Sequence, residues 1–356
     1  MPIFDSDISR QLQSDVKQAL ATNSPLIIKA GGSKDFYGRT TTGSELNISA
    51  HQGIINYHPS ELVITARAGT PLKCIEQLLS ENQQMLAFEP PAFADSATLG
   101  GTIACNLSGP RRAYSGAARD YVLGTKIING KAEILSFGGE VMKNVAGYDV
   151  SRLMTGALGT LGVLLEVSLK VVPIPDAEIT LVHSIHLSDA LAKLQQWTTL
   201  PLPISASCFY QDQLYIRLSG AEPAIRAAQQ SIGGDPLKQG NAFWHSIKEQ
   251  RHHFFDTNKP LSRLSLAANT QALSLGGDTL YEWGGALRWL VSDTPLENIQ
   301  SASQANAGHA CLFRCTATRD TVFQPLAKPL LQRHRQLKQA FDPQGIFNIG
   351  RLYPEF

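Results

Sequence analysis

Glycine is concentrated in one stretch of this chain, since residues 96–165 contain 12 of its 29 glycines. Within that stretch, residues 98–124 read TLGGTIACNLSGPRRAYSGAARDYVLG. The run is too rich in glycine for an ordinary helix and too apolar for a solvated linker. The pattern indicates tight bends and places where another group approaches the backbone closely.

Size and charge narrow the class of protein. The chain has 356 residues, 43% of them hydrophobic, which is enough for a large core and favours two domains. The formal net charge of +1 argues against nucleic acid or an anionic membrane surface as the main partner. No apolar run approaches the length of a transmembrane segment, and the acidic N-terminus does not resemble a secretory signal. We therefore expect a cytoplasmic chain, or one held at the inner membrane through partner subunits.

The cysteine and histidine patterns argue against disulfides and metal sites. The five cysteines are odd in number and form no CxxC motif, so neither a disulfide framework nor an iron–sulfur cluster is expected. His252 and His253 are adjacent and are expected to point apart on a helix. We predict no metal site in this chain.

Hydrophobic periodicity up to residue 175 alternates between helix and strand patterns, which predicts a domain of mixed α and β structure. The predicted elements are a helix over Asp5–Ala21, a strand beginning at Pro25, short strands between Glu45 and Gly69, a helix with Thr70 as N-cap and Pro71 as its first residue, a hairpin around Asn129 and Gly130, and a strand over Leu161–Val172.

The pattern changes after two closely spaced prolines, Pro173 and Pro175, which mark a predicted boundary. Beyond them, strands and amphipathic helices predict a second, antiparallel sheet with helices on one face. A basic helix and an irregular tail complete the chain. The predicted fold class is α+β, with a first domain over residues 1–175, a cap domain over 176–322, and a C-terminal helix and tail over 323–356.

Three glycine-containing motifs in the first domain are candidates for ligand binding. KAGGSK (29–34) follows a strand, where backbone N–H groups can face an anion without an intervening Cβ atom, although an ordinary turn is the commoner explanation. It matches neither GxGxxG nor the P-loop pattern. Thr98 is predicted to cap a short helix whose first turn holds Gly100 and Gly101. A helix N-terminus without bulky side chains offers free N–H groups and a favourable dipole to a diphosphate. GALGTLGVLL (156–165) is either a strand-entry bend or a wall against a flat ring.

Several charges follow the second of these motifs. For Arg111, Arg112, Arg119 and Asp120, solvated surface charges are the usual explanation. Because Arg119 and Asp120 stand beside the apolar run VLG, a partly buried pair with a structural role is the alternative for these two.

Taken in order, these motifs resemble the FAD domain of the vanillyl-alcohol-oxidase, or PCMH-type, family. The matching runs are KAGGSK, EPPAFADSATLGGTIACNLSGP, SGAARDYVLG and VMKNVAGYDVSRLMTGALGTLGVLLEVSLKVVP, and they fall within residues 20–175. The tail FDPQGIFNIGR (341–351) resembles the ending of D-lactate and glycolate dehydrogenases. Over almost the entire chain, the sequence resembles a subunit of the bacterial glycolate oxidases.

The resemblance implies a PCMH-type domain of two α/β subdomains with FAD lying extended between them, then the cap, then a tail that returns to the FAD domain. By motif, the implied cofactor-binding residues are Gly31, Gly32, Ser33 and Lys34 in the pyrophosphate loop, Ser96, Thr98, Gly100 and Gly101 in a second diphosphate segment, Asn106, Ser108 and Gly109 in the following turn, Gly159, Thr160 and Val163 near the adenine, and Asn348 in the tail.

Two departures from the family pattern bear on function. Relatives that hold flavin covalently use a histidine or a cysteine, and KAGGSKDFYGR contains neither, so we expect non-covalent FAD, with Cys105 as the exception to consider. Catalytic relatives carry a His-rich GDGN-type stretch in the cap. This chain has SQANAGHACLFRC (303–315) there, which keeps His309 but lacks the acid and the second histidine.

Two functions remain open at this point. The first is an autonomous FAD-dependent 2-hydroxy-acid dehydrogenase, similar to D-lactate dehydrogenase, with His309 as candidate base and Arg288 or Arg351 as candidate cation for the substrate carboxylate. The second is the FAD-binding subunit of a complex that oxidises glycolate to glyoxylate together with a second, catalytic FAD subunit and an iron–sulfur subunit. The missing cap residues favour the second, and the basic run 333–335 is a candidate docking surface. A third interpretation is a binding module for another nucleotide or a sugar-linked diphosphate.

Overall fold

The computed structural model describes residues 5–139, 149–316 and 319–356. Residues 140–148, which carry the EVMKNVAGY part of one matching motif, lie outside the described residues. The elements of the first part are α1 (Ser9–Thr22), β1 (Leu26–Lys29), β2 (Ser44–Asn47), β3 (Ile54–His58), β4 (Val63–Arg67), α2 (Leu72–Glu81), β5 (Gln84–Met85), α3 (Leu99–Cys105), α4 (Arg112–Ser115), α5 (Ala118–Tyr121), β6 (Val122–Ile128), β7 (Ile134–Gly138), α6 (Val150–Met154), β8 (Val163–Lys170) and β9 (Val172–Pro173). Those of the second part are β10 (Ala177–Ser184), α7 (Leu187–Trp197), β11 (Ile204–Tyr210), β12 (Gln213–Gly220), α8 (Glu222–Ile232), β13 (Asp235–Pro236), α9 (Gly240–Lys248), β14 (Leu261–Ser265), β15 (Asp278–Glu282), β16 (Leu287–Val291), α10 (Leu296–Ala305), β17 (His309–Arg314) and α11 (Lys328–Phe341).

Two main sheets form the first part. β1 and β2 pair in parallel, and a five-stranded antiparallel sheet has the strand order β3-β4-β8-β6-β7. β4 and β8 lie inside that sheet, with a strand on each side. Every residue of β4 and six of the eight residues of β8 are buried. One continuous core joins the sheets to the helices through residues such as Leu12 of α1, Leu72 of α2 and Ile103 of α3. This arrangement is the expected pair of α/β subdomains.

The start of α2 differs from the sequence prediction. The helix begins at Leu72, and Pro71 precedes it. Thr70 does not cap the helix, because its hydroxyl donates to the carbonyl oxygen of Gly53 at 3.1 Å and accepts from the amide of Gly53 at 2.9 Å. This pair of bonds ties the entry of α2 to the start of β3.

The predicted hairpin is confirmed, since β6 and β7 pair antiparallel. Its loop spans residues 129–133 and is longer than a two-residue turn. The side-chain oxygen of Asn129 explains the length, because it accepts hydrogen bonds from the amides of Lys131 and Glu133, each at 2.9 Å.

The second part is built on an eight-stranded antiparallel sheet with the order β13-β10-β12-β11-β15-β16-β14-β17. One face carries α7, α8 and α10, where Leu194, Ile225 and Ile299 are buried. The other face packs on α9 and on the first part, where Phe313 meets Tyr37 with ring centroids 5.4 Å apart. The predicted antiparallel sheet is confirmed, with α9 as an additional helix on the second face.

Four charged side chains connect the two parts. Arg111 Nη2 lies 2.7 Å from Glu178 Oε2, and Arg217 Nη2 lies 2.9 Å from Glu89 Oε1. Arg111 Nε also approaches Glu89 Oε1 at 3.4 Å, which closes the network. Burial alone would raise the pKa of Glu89, but the charges and hydrogen bonds of the two arginines outweigh it and hold the pKa below its ordinary value.

Arg111 is therefore buried, and its interpretation as a solvated surface charge is wrong. For Arg119 and Asp120 the usual explanation holds, and the alternative of a partly buried pair is wrong. Both of these side chains are exposed. The carboxylate of Asp120 instead accepts a hydrogen bond from the amide of Ala117 at 2.9 Å, which caps the first turn of α5.

The C-terminal segment returns to the first part. Lys338 Nζ donates to Asp342 Oδ2 at 2.7 Å, to the carbonyl oxygen of Thr160 at 2.8 Å and to that of Phe347 at 2.9 Å. Asp342 in turn accepts from the amide of Phe347 at 2.8 Å. These buried, fully paired groups fix the tail beside the turn that precedes β8. Among the described residues, no helix is long and apolar enough to cross a membrane.

Candidate cofactor site

A cavity of about 290 Å³ lies between β1, α3, the turn before β8 and the C-terminal tail. Ten predicted site residues line it, namely Gly31, Gly32, Ser33, Lys34, Thr98, Gly100, Gly101, Gly159, Asn348 and Arg351. Ile27, Ile48 and Leu164 add an apolar part of the wall. The fold thus brings three sequence-distant glycine motifs and the tail to one cavity.

The loop after β1 has the backbone of an anion site. Gly32 has a φ of 68°, in the left-handed region that glycine adopts without strain. Within residues 5–139, 149–316 and 319–356, no hydrogen-bond acceptor faces the backbone N–H groups of residues 31–34. Successive free N–H groups around a left-handed residue form a concavity that suits a phosphate group.

Close backbone contacts fix this loop and the neighbouring helix. A Cβ atom on Gly31 would lie 1.4 Å from the carbonyl oxygen of Ser96, so only glycine fits. Thr98 caps α3 as predicted, since its Oγ1 accepts from the amide of Gly101 at 3.2 Å. An added Cβ on Gly100 would lie 2.8 Å from Ala68 Cβ, whereas one on Gly101 would have Thr98 Oγ1, at 3.3 Å, as its nearest neighbour. Gly101, which lines the cavity, therefore has more room for a side chain than Gly31 or Gly100 has.

Asn348 joins two walls of the cavity. Its Oδ1 accepts from the amide of Ile28 in β1 at 2.8 Å, and its Nδ2 donates to the carbonyl oxygen of Leu158 at 2.7 Å. The side chain is buried, and both polar atoms are satisfied by the protein. Asn348 is thus a positioning residue for β1 and for the turn that carries Gly159.

We expect Asn348→Ala to destabilise the chain by about 2–4 kcal/mol, because two buried backbone groups lose their partners. FAD affinity should fall as well, since both walls are released. Thermal melting and a fluorescence titration with FAD measure the two effects. Asn306→Ala is the control, because Asn306 Nδ2 makes an exposed bond to Ala302 at 2.9 Å. Equal melting temperatures for the two variants would contradict the positioning role.

Six of the predicted cofactor-binding residues do not line the cavity. Thr160 is buried and its Oγ1 donates to the carbonyl oxygen of Ala157 at 2.8 Å, while Val163 lies in the core of the first part. Asn106 ends α3 with a φ of 51°. The carbonyl oxygen of Ser96 lies against Gly31, outside the cavity wall. Ser108 Oγ accepts a hydrogen bond from the amide of Ala118 at 3.0 Å. The carbonyl oxygen of Gly109 accepts one from Trp283 Nε1 at 3.1 Å.

The three catalytic candidates are not brought together. Arg288 alternates with Trp289 along β16, so it points to the helix-covered face, and its guanidinium donates to the carbonyl oxygens of Gly285, Gln271 and Thr270. His309 is exposed at the start of the edge strand β17. Arg351 alone lines the cavity, where it donates to the carbonyl oxygens of Arg39, Asp35 and Tyr37.

The two adjacent histidines also differ from expectation. The ring centroids of His252 and His253 lie 4.1 Å apart, so the prediction that they point apart is wrong. His252 has extended backbone angles (φ −64°, ψ 144°) and precedes a short 3₁₀ turn that begins at His253, so the two residues do not share the helix that the prediction assumed. In the part of the chain that the structure describes, no three potential metal ligands come together.

Charged side chains give the cavity a positive surface. Lys34 is 6% exposed, and its Nζ donates to the carbonyl oxygen of Ala92 at 3.3 Å. Burial lowers its pKa. Arg319 also lines the cavity and was not singled out from the sequence, because it stands in an irregular segment outside every motif. Cys105 lines the cavity too, and burial raises the pKa of its thiol to about 11.

Comparisons with known proteins identify the family to which the chain belongs. A model of the FAD binding domain family matches residues 9–138. The chain is 47% identical over 351 residues to glycolate oxidase subunit GlcE of Escherichia coli (strain K12), covering 99% of both proteins. It is 31% identical over 171 residues to glycolate oxidase subunit GlcD of Bacillus subtilis (strain 168), covering 47% of this chain and 36% of that protein.

Among solved structures, the chain is similar to p-cresol methylhydroxylase with substrate bound, with a TM-score of 0.75 and 14% identity over 99% of this chain and 88% of that one. This likeness concerns the fold and confirms the predicted α+β, PCMH-type architecture. Because the high identity extends over nearly the whole length, the chain belongs to the family of glycolate oxidase subunit GlcE, within the PCMH-type FAD-binding proteins.

Proposed function

We propose that this chain is the FAD-binding subunit of a complex that oxidises glycolate, a 2-hydroxy acid, to glyoxylate. The observation that carries the proposal is the loop of residues 31–34, which lines the cavity and whose backbone N–H groups have no acceptor among the described residues. The likeness to glycolate oxidase subunit GlcE supports the substrate and the complex. The chain would act as an FAD-dependent oxidoreductase on a CH–OH group only within that complex.

The residues of the cavity fit FAD. The N–H groups of residues 31–34 and the Lys34 ammonium would bind the diphosphate, and Gly101 leaves room for it. Gly159 and the apolar side chains Ile27 and Leu164 would surround the adenine, with Thr160 and Val163 supporting them from the core. When bound, FAD supplies a ring that accepts electrons.

The FAD is proposed to be non-covalent. No histidine lines the cavity among the described residues, and Cys105 is the one cysteine that does. With its pKa raised to about 11, the Cys105 thiol is protonated at neutral pH and is a poor nucleophile.

The base for glycolate oxidation is proposed to come from a partner. A base must accept the hydroxyl proton of the substrate. Within the described ranges, the titratable side chains that line the cavity are Lys29, Lys34, Asp35, Cys105, Arg319 and Arg351. Asp35 pairs with Lys29 at 3.9 Å, and the others are cations or a protonated thiol. A second, catalytic FAD subunit would supply the base, and an iron–sulfur subunit would carry electrons onward.

The proposal extends to organisation and location. The change of sheet between β9 and β10 supports a first domain over residues 1–175 and a cap over 176–322, with a tail over 323–356. The near-neutral net charge of +1 supports a cytoplasmic location in which partner subunits make any contact with the inner membrane.

The visible absorption spectrum of the purified chain, before and after anaerobic glycolate, tests the proposal. We expect flavin bands that persist with glycolate alone and bleach when the partner subunits are added. Gly101→Arg serves as the flavin-free control. A colourless wild-type chain would refute FAD binding, and bleaching without partners would establish an autonomous dehydrogenase instead.

A further inference from the structure

The Lys34 ammonium is held partly from outside the loop that carries it. Lys34 is buried and lines the cofactor cavity. Among the described residues, its Nζ donates to Ser33 Oγ at 3.4 Å and to the carbonyl oxygen of Ala92 at 3.3 Å. The same atom lies 5.8 Å from the ring centroid of Phe93. The segment of residues 92–93 thus supplies two of these three contacts.

This segment has a backbone conformation that needs support. Phe93 has a φ of 60°, in the left-handed region that residues other than glycine seldom adopt. Such a conformation is strained in a bulky residue and persists where neighbouring groups hold it. The neighbours of residues 92–93 therefore determine where the Ala92 carbonyl oxygen and the Phe93 ring face Lys34.

The carboxylate of Glu249 provides this support. Glu249 directly follows α9 in the second part of the chain and is buried. Its Oε2 accepts hydrogen bonds from the amide of Ala92 at 3.1 Å and from the amide of Phe93 at 2.7 Å. Glu249 does not line the cavity itself. Its influence on a ligand there must pass through residues 92–93 or through its charge.

Neighbouring charges act on the same ammonium. Burial lowers the pKa of Lys34, and groups on or beside three helices shift it further. Those that raise the pKa are Cys105 of α3, Glu249 after α9 and Glu76 of α2, whereas Lys248 of α9 lowers it. The Cys105 thiol, with its pKa raised to about 11, is uncharged at neutral pH. The Glu249 carboxylate is therefore the strongest charge that keeps Lys34 protonated there.

We propose that Glu249 is a positioning residue for Lys34, and that FAD affinity depends on this carboxylate although it lies outside the cavity. The inference rests on the proposed function, in which the Lys34 ammonium binds the diphosphate. The bonds to residues 92–93 hold the ammonium at the cavity wall, and the negative charge of Glu249 favours its protonated form. The contact between the two parts of the chain thereby contributes to cofactor retention.

Fluorescence titration of the full-length, flavin-free chain with FAD between about pH 6 and pH 10 tests the inference. Glu249→Gln can keep a hydrogen bond to residues 92–93 but lacks the charge, so Lys34 should lose its proton at a lower pH. FAD affinity should therefore begin to fall at a lower pH than in the wild type. At the alkaline end we expect about tenfold weaker binding, because a hydrogen bond from a charged group is lost. Glu297→Gln, on the exposed side of α10, is the control.

A second background separates positioning from a general structural effect. In Lys34→Met the ammonium is absent, so adding Glu249→Gln should change the Kd for FAD by less than about twofold. Equal losses from Glu249→Gln in both backgrounds would overturn the inference, and so would an unshifted pH profile. Glu249→Asp keeps the charge and should keep the wild-type pH profile, and it provides a second variant if Glu249→Gln does not fold. A wild-type chain that binds no FAD would instead refute the proposed function itself.

Discussion

Gly101→Arg is expected to abolish FAD retention in a chain that still folds. Gly101 lies in the first turn of α3 and lines the cavity. Since the nearest neighbour of an added Cβ is Thr98 Oγ1 at 3.3 Å, a side chain can leave the helix without displacing the core. It would then fill the space that the diphosphate requires. Flavin absorbance per chain after gel filtration measures the loss, and circular dichroism measures the fold.

Gly100→Ala provides the contrast for this experiment. Its Cβ would lie 2.8 Å from Ala68 Cβ and 2.9 Å from the Ala68 carbonyl oxygen, so it should lower the melting temperature. Gly101→Ala, which adds the same methyl group, should melt near the wild-type temperature. Stoichiometric FAD in folded Gly101→Arg would show that the diphosphate lies elsewhere.

Glu89→Gln is expected to destabilise the chain by about 3–5 kcal/mol. The change removes the carboxylate that faces Arg217 at 2.9 Å and Arg111 at 3.4 Å, and it leaves excess positive charge in a largely buried network. Glu222→Gln is a matched control, because Glu222 pairs with Arg226 at 2.8 Å on an exposed helix face, where such pairs contribute about 0–1 kcal/mol. Chemical unfolding at neutral pH measures both free energies.

Acid should reduce the difference between wild type and Glu89→Gln. The pKa of Glu89 is below its ordinary value of 4.5 in the folded chain, so the charged form contributes stability above that value. The contribution is lost as the pH falls through the folded-state pKa. The free energies of unfolding should therefore converge below about pH 4.5. A difference that stays constant between pH 7 and pH 3 would contradict the assigned role of this carboxylate.

Local sequence signals predicted much of the wall of the cavity. A glycine pair directly after a strand and a threonine before a Gly-Gly turn describe features that form within a few residues. For that reason the sequence alone predicts the KAGGSK loop and the Thr98 cap. The strand and helix types followed in the same way from hydrophobic periodicity.

Long-range pairing explains what the sequence did not predict. Asn348 was assigned to the cofactor, but its polar atoms are taken by Ile28 and Leu158, which are far away in sequence. Arg288 was a candidate for substrate binding, yet which face of β16 it occupies depends on the assembled sheet. The buried charge network likewise depends on how two sheets meet, so the sequence favoured a surface position for Arg111, which the structure buries.

The bonds of Asn348 have a consequence for shortened forms of the chain. They join β1 to a residue that lies 320 positions later in the sequence. A fragment that ends before residue 342 would lack Asn348 and Arg351, and with them one wall of the cavity. We therefore expect such a fragment to be purified as an apoprotein, even if its first sheet and helices fold.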